Sequence, residues 1–161
     1  MISFTPVSDT TFQGFVDYFV PDYAAEIVTN YALSEAEALQ KAQQEIENSF
    51  PLAEKTPGQS LLCIMHSEHD LNLHVGYLWY KADSLQKSAF INEFYLFPLF
   101  RNQGLGRKAL HMLETTLQQE GFTQINLRVA GDNEQARHVY AASGFRVTGV
   151  NMNKRLGERA D

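Results

Sequence analysis

Cysteine is almost absent from this chain: Cys63 stands alone among 161 residues. An internal disulfide is therefore excluded, and the fold must be held by its core. Cys63 lies in the apolar run Leu61-Leu62-Cys63-Ile64-Met65 with no positive charge beside it. It reads as a buried strand residue rather than a catalytic thiol. Long apolar runs are missing as well. None approaches the ~20 residues that a membrane helix needs. No basic stretch followed by an apolar one opens the chain, so no signal peptide is read there. The expectation is a cytoplasmic protein without a membrane partner. Excess positive charge is also lacking, since the formal net charge is −6, and that argues against a nucleic-acid partner. Internal repeats, low-complexity tracts and Gly/Ser linkers are not found.

What is present suits one soluble domain spanning residues 1–161. Apolar residues make up 44% and charged residues 20%, a globular balance. Charge is unevenly spread. Residues 1–97 hold 13 acidic and 4 basic side chains, net −9, while residues 98–161 hold 6 acidic and 9 basic, net +3. A basic half suits an anionic ligand, and an acidic half attracts a cation. Uneven solvated surface charge is the plainer alternative.

Along the chain, Ile2-Ser3-Phe4 reads as a short strand. From Asp9 to about Tyr31 the pattern is helical, with Phe12, Phe15, Val16, Phe19, Ala24, Ile27, Val28 and Tyr31 roughly on one face. Pro21 should break or kink that segment. Ser34 and Glu37 form a capping box that opens a helix to about Ser49. Strands follow at about 60–66 and 74–80, joined by a polar hairpin turn, and a third covers about 88–97. A helix runs from near Gly104 to Gly121. Strand 125–129, helix 133–143 and strands at about 145–148 and 150–156 complete the chain. The order implies an α/β domain, with a mixed central sheet of about six to seven strands flanked by about four helices. Residues 1–59 form a helical region and residues 60–156 the core.

The richest segment joins an apolar strand to an amphipathic helix through Arg101-Asn102-Gln103-Gly104-Leu105-Gly106-Arg107. Ala109, Leu110, Leu113 and Leu117 form the buried stripe of that helix, and Arg107, Lys108 and Gln118 face out. Two glycines at a helix start let backbone approach a ligand closely. The first N–H groups of a helix have no internal partner, and with the helix dipole they bind phosphate. Arg101 and Arg107 add charge-assisted donors. A P-loop is excluded, because the Gly-Lys-Ser/Thr ending is missing. A dinucleotide fingerprint fits poorly, because Ala109 or Leu110 stands where its third glycine belongs.

This turn resembles the signature of the GCN5-related N-acetyltransferases (GNAT), Arg/Gln-x-x-Gly-x-Gly/Ala after a strand. A second signature of that family is matched downstream by Asn133, Ala136, Tyr140, Gly144 and Phe145. The resemblance covers about residues 60–150. Residues 1–59 match only in being helical, and acceptor specificity usually lies there in this family.

The resemblance implies transfer of an acetyl group from acetyl-coenzyme A (acetyl-CoA) to a primary amine of a small molecule or peptide. It implies that backbone groups of Tyr95, Leu96 and Phe97 hold the pantetheine arm. The N–H groups of Asn102, Gln103, Gly104, Leu105, Gly106 and Arg107 would hold the pyrophosphate, with Arg101 beside them. Asn133 and Ala136 belong to the second signature, and the Asn133 position contacts coenzyme A in related enzymes. Asn133 also reads as a helix N-cap, and the two roles are compatible. Tyr140 is either an aromatic packed on the sheet or the acid that protonates the departing thiolate. That transfer is uphill by only about 2 kcal/mol, since tyrosine titrates near ~10 and a thiol near ~8.5. A backbone N–H of Leu96 or Phe97 would stabilise the oxyanion. Glu93 is the candidate base, against the plainer reading of a solvent-facing charge on an alternating strand.

Some protein N-terminal acetyltransferases carry a glutamate five residues before the asparagine, where this chain has Arg128. That sets the chain apart from them. The acidic N-terminal half favours a cationic acceptor such as a polyamine or an amino sugar. A homodimer is expected only because dimers are common in similar proteins. A non-catalytic acyl-CoA sensor is the competing function, and Tyr140 and Glu93 speak against it. His66, His69 and His74 span a hairpin turn, so no metal site is expected. Trp79 and Tyr80 read as core or acceptor-pocket wall. Phe15, Tyr18, Phe19 and Tyr23 read as core, with part of this stripe free to line the acceptor cleft.

Overall fold

A computed structural model describes residues 1–157. The chain order is β1 (Ile2–Pro6), α1 (Asp9–Tyr31), α2 (Glu35–Ser49), β2 (Ser60–Glu68), β3 (Leu71–Asp83), β4 (Ser88–Leu96), α3 (Leu105–Gln119), β5 (Gln124–Leu127) and α4 (Glu134–Ala142). The strands lie side by side in sequence order. The first three pairings are antiparallel, and β4 pairs with β5 in parallel. The α/β class and the four helices agree with the sequence reading.

Local chemistry sets the helix starts. Ser8 caps α1 by accepting from the Thr11 N–H, and the Thr11 hydroxyl accepts from the Ser8 N–H in return. Ser34 caps α2 by accepting from the Glu37 N–H at 3.2 Å. Glu37 answers with its carboxylate on the Ser34 hydroxyl rather than on backbone. Pro21 does not break α1, which runs through it. Its ring deletes one donor, the one that would reach the Asp17 carbonyl. Buried residues stand on both sides of it, Phe15, Phe19 and Val20 before and Ala24 and Ile27 after. Their shared packing outweighs a cost of about 3 kcal/mol.

The sheet has a core on each face. On one, Tyr77 and Trp79 of β3 pack against Phe15, Phe19 and Ile27 of α1 and Ala38, Ala42 and Ile46 of α2. On the other, Leu78, Ala89 and Ile91 pack against Ala109, Leu110, Leu113 and Leu117 of α3. The Trp79 Nε1 donates to the Gln59 side chain at 2.7 Å, which satisfies the buried indole.

The expected strands at about 145–148 and 150–156 do not form, so among the described residues the sheet has five strands rather than six to seven. Alternation makes a strand only where an edge accepts its backbone and a face buries its apolar side. Here Val147, Val150 and Met152 are exposed. Side chains hold the segment instead: Asn153 donates to the Asn30 carbonyl, and the Asn151 amide oxygen, facing Arg128, accepts from its Nε at 3.0 Å. Among the described residues, no helix is long and apolar enough to cross a membrane.

Candidate active site

The site begins with an irregularity in β4. Trp79 pairs with Glu93 and Tyr80 with Ile91, which leaves Asn92 as the extra residue of a β-bulge. A bulge shifts the alternation by one. Before it, Ala89 and Ile91 face α3; after it, Phe94 and Leu96 do. Glu93 and Tyr95 are thereby turned towards α1, where the Tyr95 ring stacks on Tyr18 at 4.0 Å. Without the bulge, Glu93 would share the α3 face with Ile91.

A splay follows. β5 pairs with β4 only from Ser88 to Ile91, matched to Gln124 through Leu127. Beyond Ile91, β4 has its β3 partner alone. The Phe97 N–H donates to the Val75 carbonyl at 2.9 Å, and the Phe97 carbonyl accepts from the Phe100 N–H. Gly76 and Leu96 are consequently a non-hydrogen-bonded pair, and the Leu96 N–H and C=O point into the gap left by β5. The Leu96 carbonyl accepts from Arg101 Nε at 2.9 Å. Of the two backbone donors that the sequence offered for an oxyanion, the Phe97 N–H is spent inside the sheet and the Leu96 N–H faces the gap. Tyr95, by the same alternation, turns its backbone to Tyr77.

The turn after β4 has the form that anion binding needs. Asn102 and Gly104 adopt positive φ, 62° and 78°. Gly104 is the N-cap of α3, and no side chain caps that helix end. The first N–H groups, of Leu105, Gly106 and Arg107, thus keep their donors for a ligand. Gly106 packs under the turn: a Cβ there would touch Leu96, Phe94 and Val139 at 3.7 to 3.8 Å. Arg107 and Lys108 are exposed beside the helix start. Gln103 is tied back to the Leu99 carbonyl at 3.0 Å. Arg101 folds onto the strand, its guanidinium 5.1 Å from the centre of the Tyr95 ring. These features fit the phosphates and amide arm of a coenzyme A thioester.

α4 closes the other side. Asn133 caps it, its Oδ1 accepting from the Ala136 N–H at 3.2 Å. Gln135 donates to the Asn102 side chain at 2.8 Å and joins the two signature segments. Tyr140 packs against Phe94 and Phe145. Burial, and then the negative charge of Glu93, push its hydroxyl well above the ordinary tyrosine value. The Glu93 charge thus reaches Tyr140, the one side chain coming from β4 and the other from α4.

Glu93 lies among other acids. Burial pushes its carboxyl up to about 8, with Asp22 and then Glu26 adding to the rise and the Phe94 N–H opposing it. The residue is half-buried and its side chain lies on the α1 face of the sheet. Burial also raises Asp22 and Glu26 of α1, against the pull of Arg101 and Arg128 respectively. The sequence reading missed both residues. The available signal was the four-residue spacing of Tyr18, Asp22 and Glu26, which puts them on one face of a helix. Other residues fall outside the site. Cys63 is buried, and burial raises its thiol. His66 and His69 both lie near Glu68, while His74 packs on Tyr77 and Phe97. Arg128 bonds the Tyr31 hydroxyl.

Residues 21–145 match the Acetyltransferase (GNAT) family, so the chain belongs to it. It is an acetyl-CoA-dependent acyltransferase. It is 30% identical over 152 residues to the Uncharacterized N-acetyltransferase YdgE of Bacillus subtilis (strain 168), covering 93% of this chain and 95% of that protein. The Uncharacterized N-acetyltransferase YycN of the same organism is 30% identical over 157 residues, 96% of this chain and 99% of that one. The crystal structure of YycN superposes with a TM-score of 0.90, covering 98% of this chain and 100% of that one. The PaiA N-acetyltransferase of Thermoplasma acidophilum, solved with coenzyme A, shares the fold at 15% identity and a TM-score of 0.68, covering 94% of this chain and 93% of that one.

Proposed function

We propose that the chain acetylates a primary amine of a small molecule or peptide by direct attack of the amine on the thioester of acetyl-CoA. One observation carries the reading: the gap between β4 and β5 presents the Leu96 N–H, with Glu93 on one flank and Tyr140 on the other. The pyrophosphate rests on the open start of α3, from Asn102 to Arg107, and the pantetheine arm runs along the Leu96 edge of β4 towards Asn133 and Ala136.

Glu93 takes a proton from the incoming ammonium, and the freed amine attacks the carbonyl carbon. A C–N bond forms while the Leu96 N–H stabilises the oxyanion. The C–S bond then breaks, Tyr140 gives its proton to the departing sulfur, and the second proton of the attacking nitrogen returns to the Tyr140 oxygen, which leaves a neutral amide and free thiol. Proton uptake by Glu93 removes the negative charge that held the Tyr140 proton in place, so the first transfer eases the second. No protein nucleophile takes part.

Thermal unfolding with acetyl-CoA, free coenzyme A and NAD tests the cofactor half. A ligand at 100 times its Kd adds about 2.7 kcal/mol, several degrees for a domain this size. A rise with the coenzyme A species alone, followed by amine-dependent thiol release, supports the reading. No rise with either, or a rise with NAD alone, overturns it.

A further inference from the structure

β3 has an irregularity of its own, beside the gap. Ile64 pairs with Gly76 and Met65 with His74, which leaves Val75 as the extra residue of a second bulge. A bulged residue has no partner on the neighbouring strand, so its backbone direction must be set by something else. The His74 side chain sets it here. Its Nε2 lies 2.9 Å from the Gly76 carbonyl oxygen, so the ring spans Val75 from one side of the bulge to the other. Burial holds the ring's pKa below its ordinary value, against the bond to Gly76, so the ring is neutral at neutral pH and carries one N–H. A carbonyl only accepts, so Nε2 is the nitrogen that donates.

The bulged residue matters because of what it holds. The Val75 carbonyl accepts from the Phe97 N–H at 2.9 Å, and that bond leaves the Leu96 N–H in the gap. His74 also holds Phe97 directly. The two rings meet edge to face at 5.0 Å, and Tyr77 packs on the His74 ring at 4.8 Å. β3 and β4 meet closely at this level, since a Cβ on Gly76 would come within 3.0 Å of the Leu96 Cα. A shift of Gly76 is therefore passed to Leu96 rather than absorbed.

Resting on the reading above, we infer that His74 is a positioning residue for the transfer. Its N–H fixes the β3 bulge, the bulge fixes Phe97, and Phe97 fixes the Leu96 N–H where the oxyanion forms. The residue touches no reacting atom itself. If packing were its whole task, any aromatic ring would serve. Phenylalanine supplies the ring without the donor, and glutamine supplies the donor without the ring.

The test compares His74→Phe and His74→Gln with the native protein. Amide exchange of Phe97 is followed by NMR on protein labelled with heavy nitrogen in phenylalanine. Thiol release at saturating acetyl-CoA is measured with butylamine, benzylamine and glycinamide, and acetyl-CoA affinity by calorimetry. In His74→Phe the Phe97 amide should exchange at least about tenfold faster. Its kcat should fall by about tenfold to 10²-fold, the effect of a displaced oxyanion donor. Acetyl-CoA Kd should stay within about threefold of native, because that donor counts most in the transition state. In His74→Gln exchange and kcat should both return to within about threefold of native. A melt checks each variant, and His74→Leu replaces His74→Phe if the latter does not unfold cooperatively. A native-like Phe variant beside an impaired Gln variant, or equal loss in both, reduces His74 to packing and overturns the inference. Unchanged Phe97 exchange in His74→Phe overturns it as well. A freed Phe97 amide with native kcat removes the Leu96 N–H as oxyanion donor, and the inference with it. Native protein that releases no thiol with any of the three amines overturns the transferase reading itself, a failure seen before any variant is made.

Discussion

The Tyr18 ring lies on the Tyr95 ring with centroids 4.0 Å apart and planes 18° from parallel. This stack joins α1 to the strand that carries the Leu96 N–H. Tyr18→Phe keeps the stack and removes an unpartnered hydroxyl. Its unfolding free energy should stay level or rise by about 1 kcal/mol, as expected when a buried unsatisfied group is deleted. A loss of stability measured in urea would mean that the hydroxyl has a partner.

Tyr140→Phe keeps the packing on Phe94 and Phe145 and deletes the proton. Turnover should fall by about 10²-fold, in the range of general acid catalysis. Acetyl-CoA affinity should stay within about twofold of native, because the deleted atom contributes little to binding. Steady-state thiol release and calorimetry report the two quantities separately. Native turnover would remove Tyr140 from the chemistry.

Gly104 holds φ at 78°, and a Cβ there would meet nothing within 4 Å. Gly104→Val therefore costs backbone strain of about 1–2 kcal/mol rather than a clash. Its side chain stands in front of the open start of α3. Acetyl-CoA binding should be lost while a cooperative melt remains, a few degrees lower. Native affinity in this variant would refute the pyrophosphate placement.

Glu93 sets a pH dependence with a definite sign. Its carboxyl is raised from 4.5 to about 8 in the fold, so the folded chain holds a proton that the unfolded chain releases between those values. The stability that Glu93 contributes is complete below pH 4.5 and falls as pH rises through about 8. Glu93→Gln should gain on the native protein across that window in melts taken pH by pH. The logarithm of kcat/KM for the amine should also lose one unit of slope near pH 8 in the native enzyme and show no such break in the variant. Parallel profiles would show that Glu93 does not titrate in the reaction.

Gly76 faces β4 so closely that a Cβ would come within 1.9 Å of the Tyr95 carbonyl oxygen. Gly76→Ala should destabilise the fold by about 3 kcal/mol, at the upper end of overpacking costs. It should also disturb Leu96, the next residue on that strand. Denaturant midpoints check the first effect, and acetyl-CoA titration the second.

Much of this was legible in the residues. The run Arg101 to Arg107 announces a turn into a helix, because glycine alone takes the left-handed backbone without strain, as Gly104 does here. Asn133 announces a cap, and Ser34 the helix start that follows it. These readings succeed because each depends on a few neighbouring positions. Pro21 does not break α1, for the opposite reason. Its cost is local, while the packing of Phe15, Phe19 and Ile27 that outweighs it comes from β3 and α2. The strands expected after Phe145 failed similarly, since alternation alone does not supply an edge to pair with.

The sequence by itself marked the places of the four helices, of the five strands among the described residues and of the glycine turn before α3, because periodicity and turn chemistry act over short spans of chain. Tertiary structure decided what faces the reaction. One extra residue at Asn92 turned Glu93 away from α3 and towards Asp22 and Glu26. One hydrogen bond, from Phe97 to Val75, left the Leu96 N–H in the gap. Both follow from register between strands distant in sequence, and a shift of one residue there reverses every side chain that comes after it.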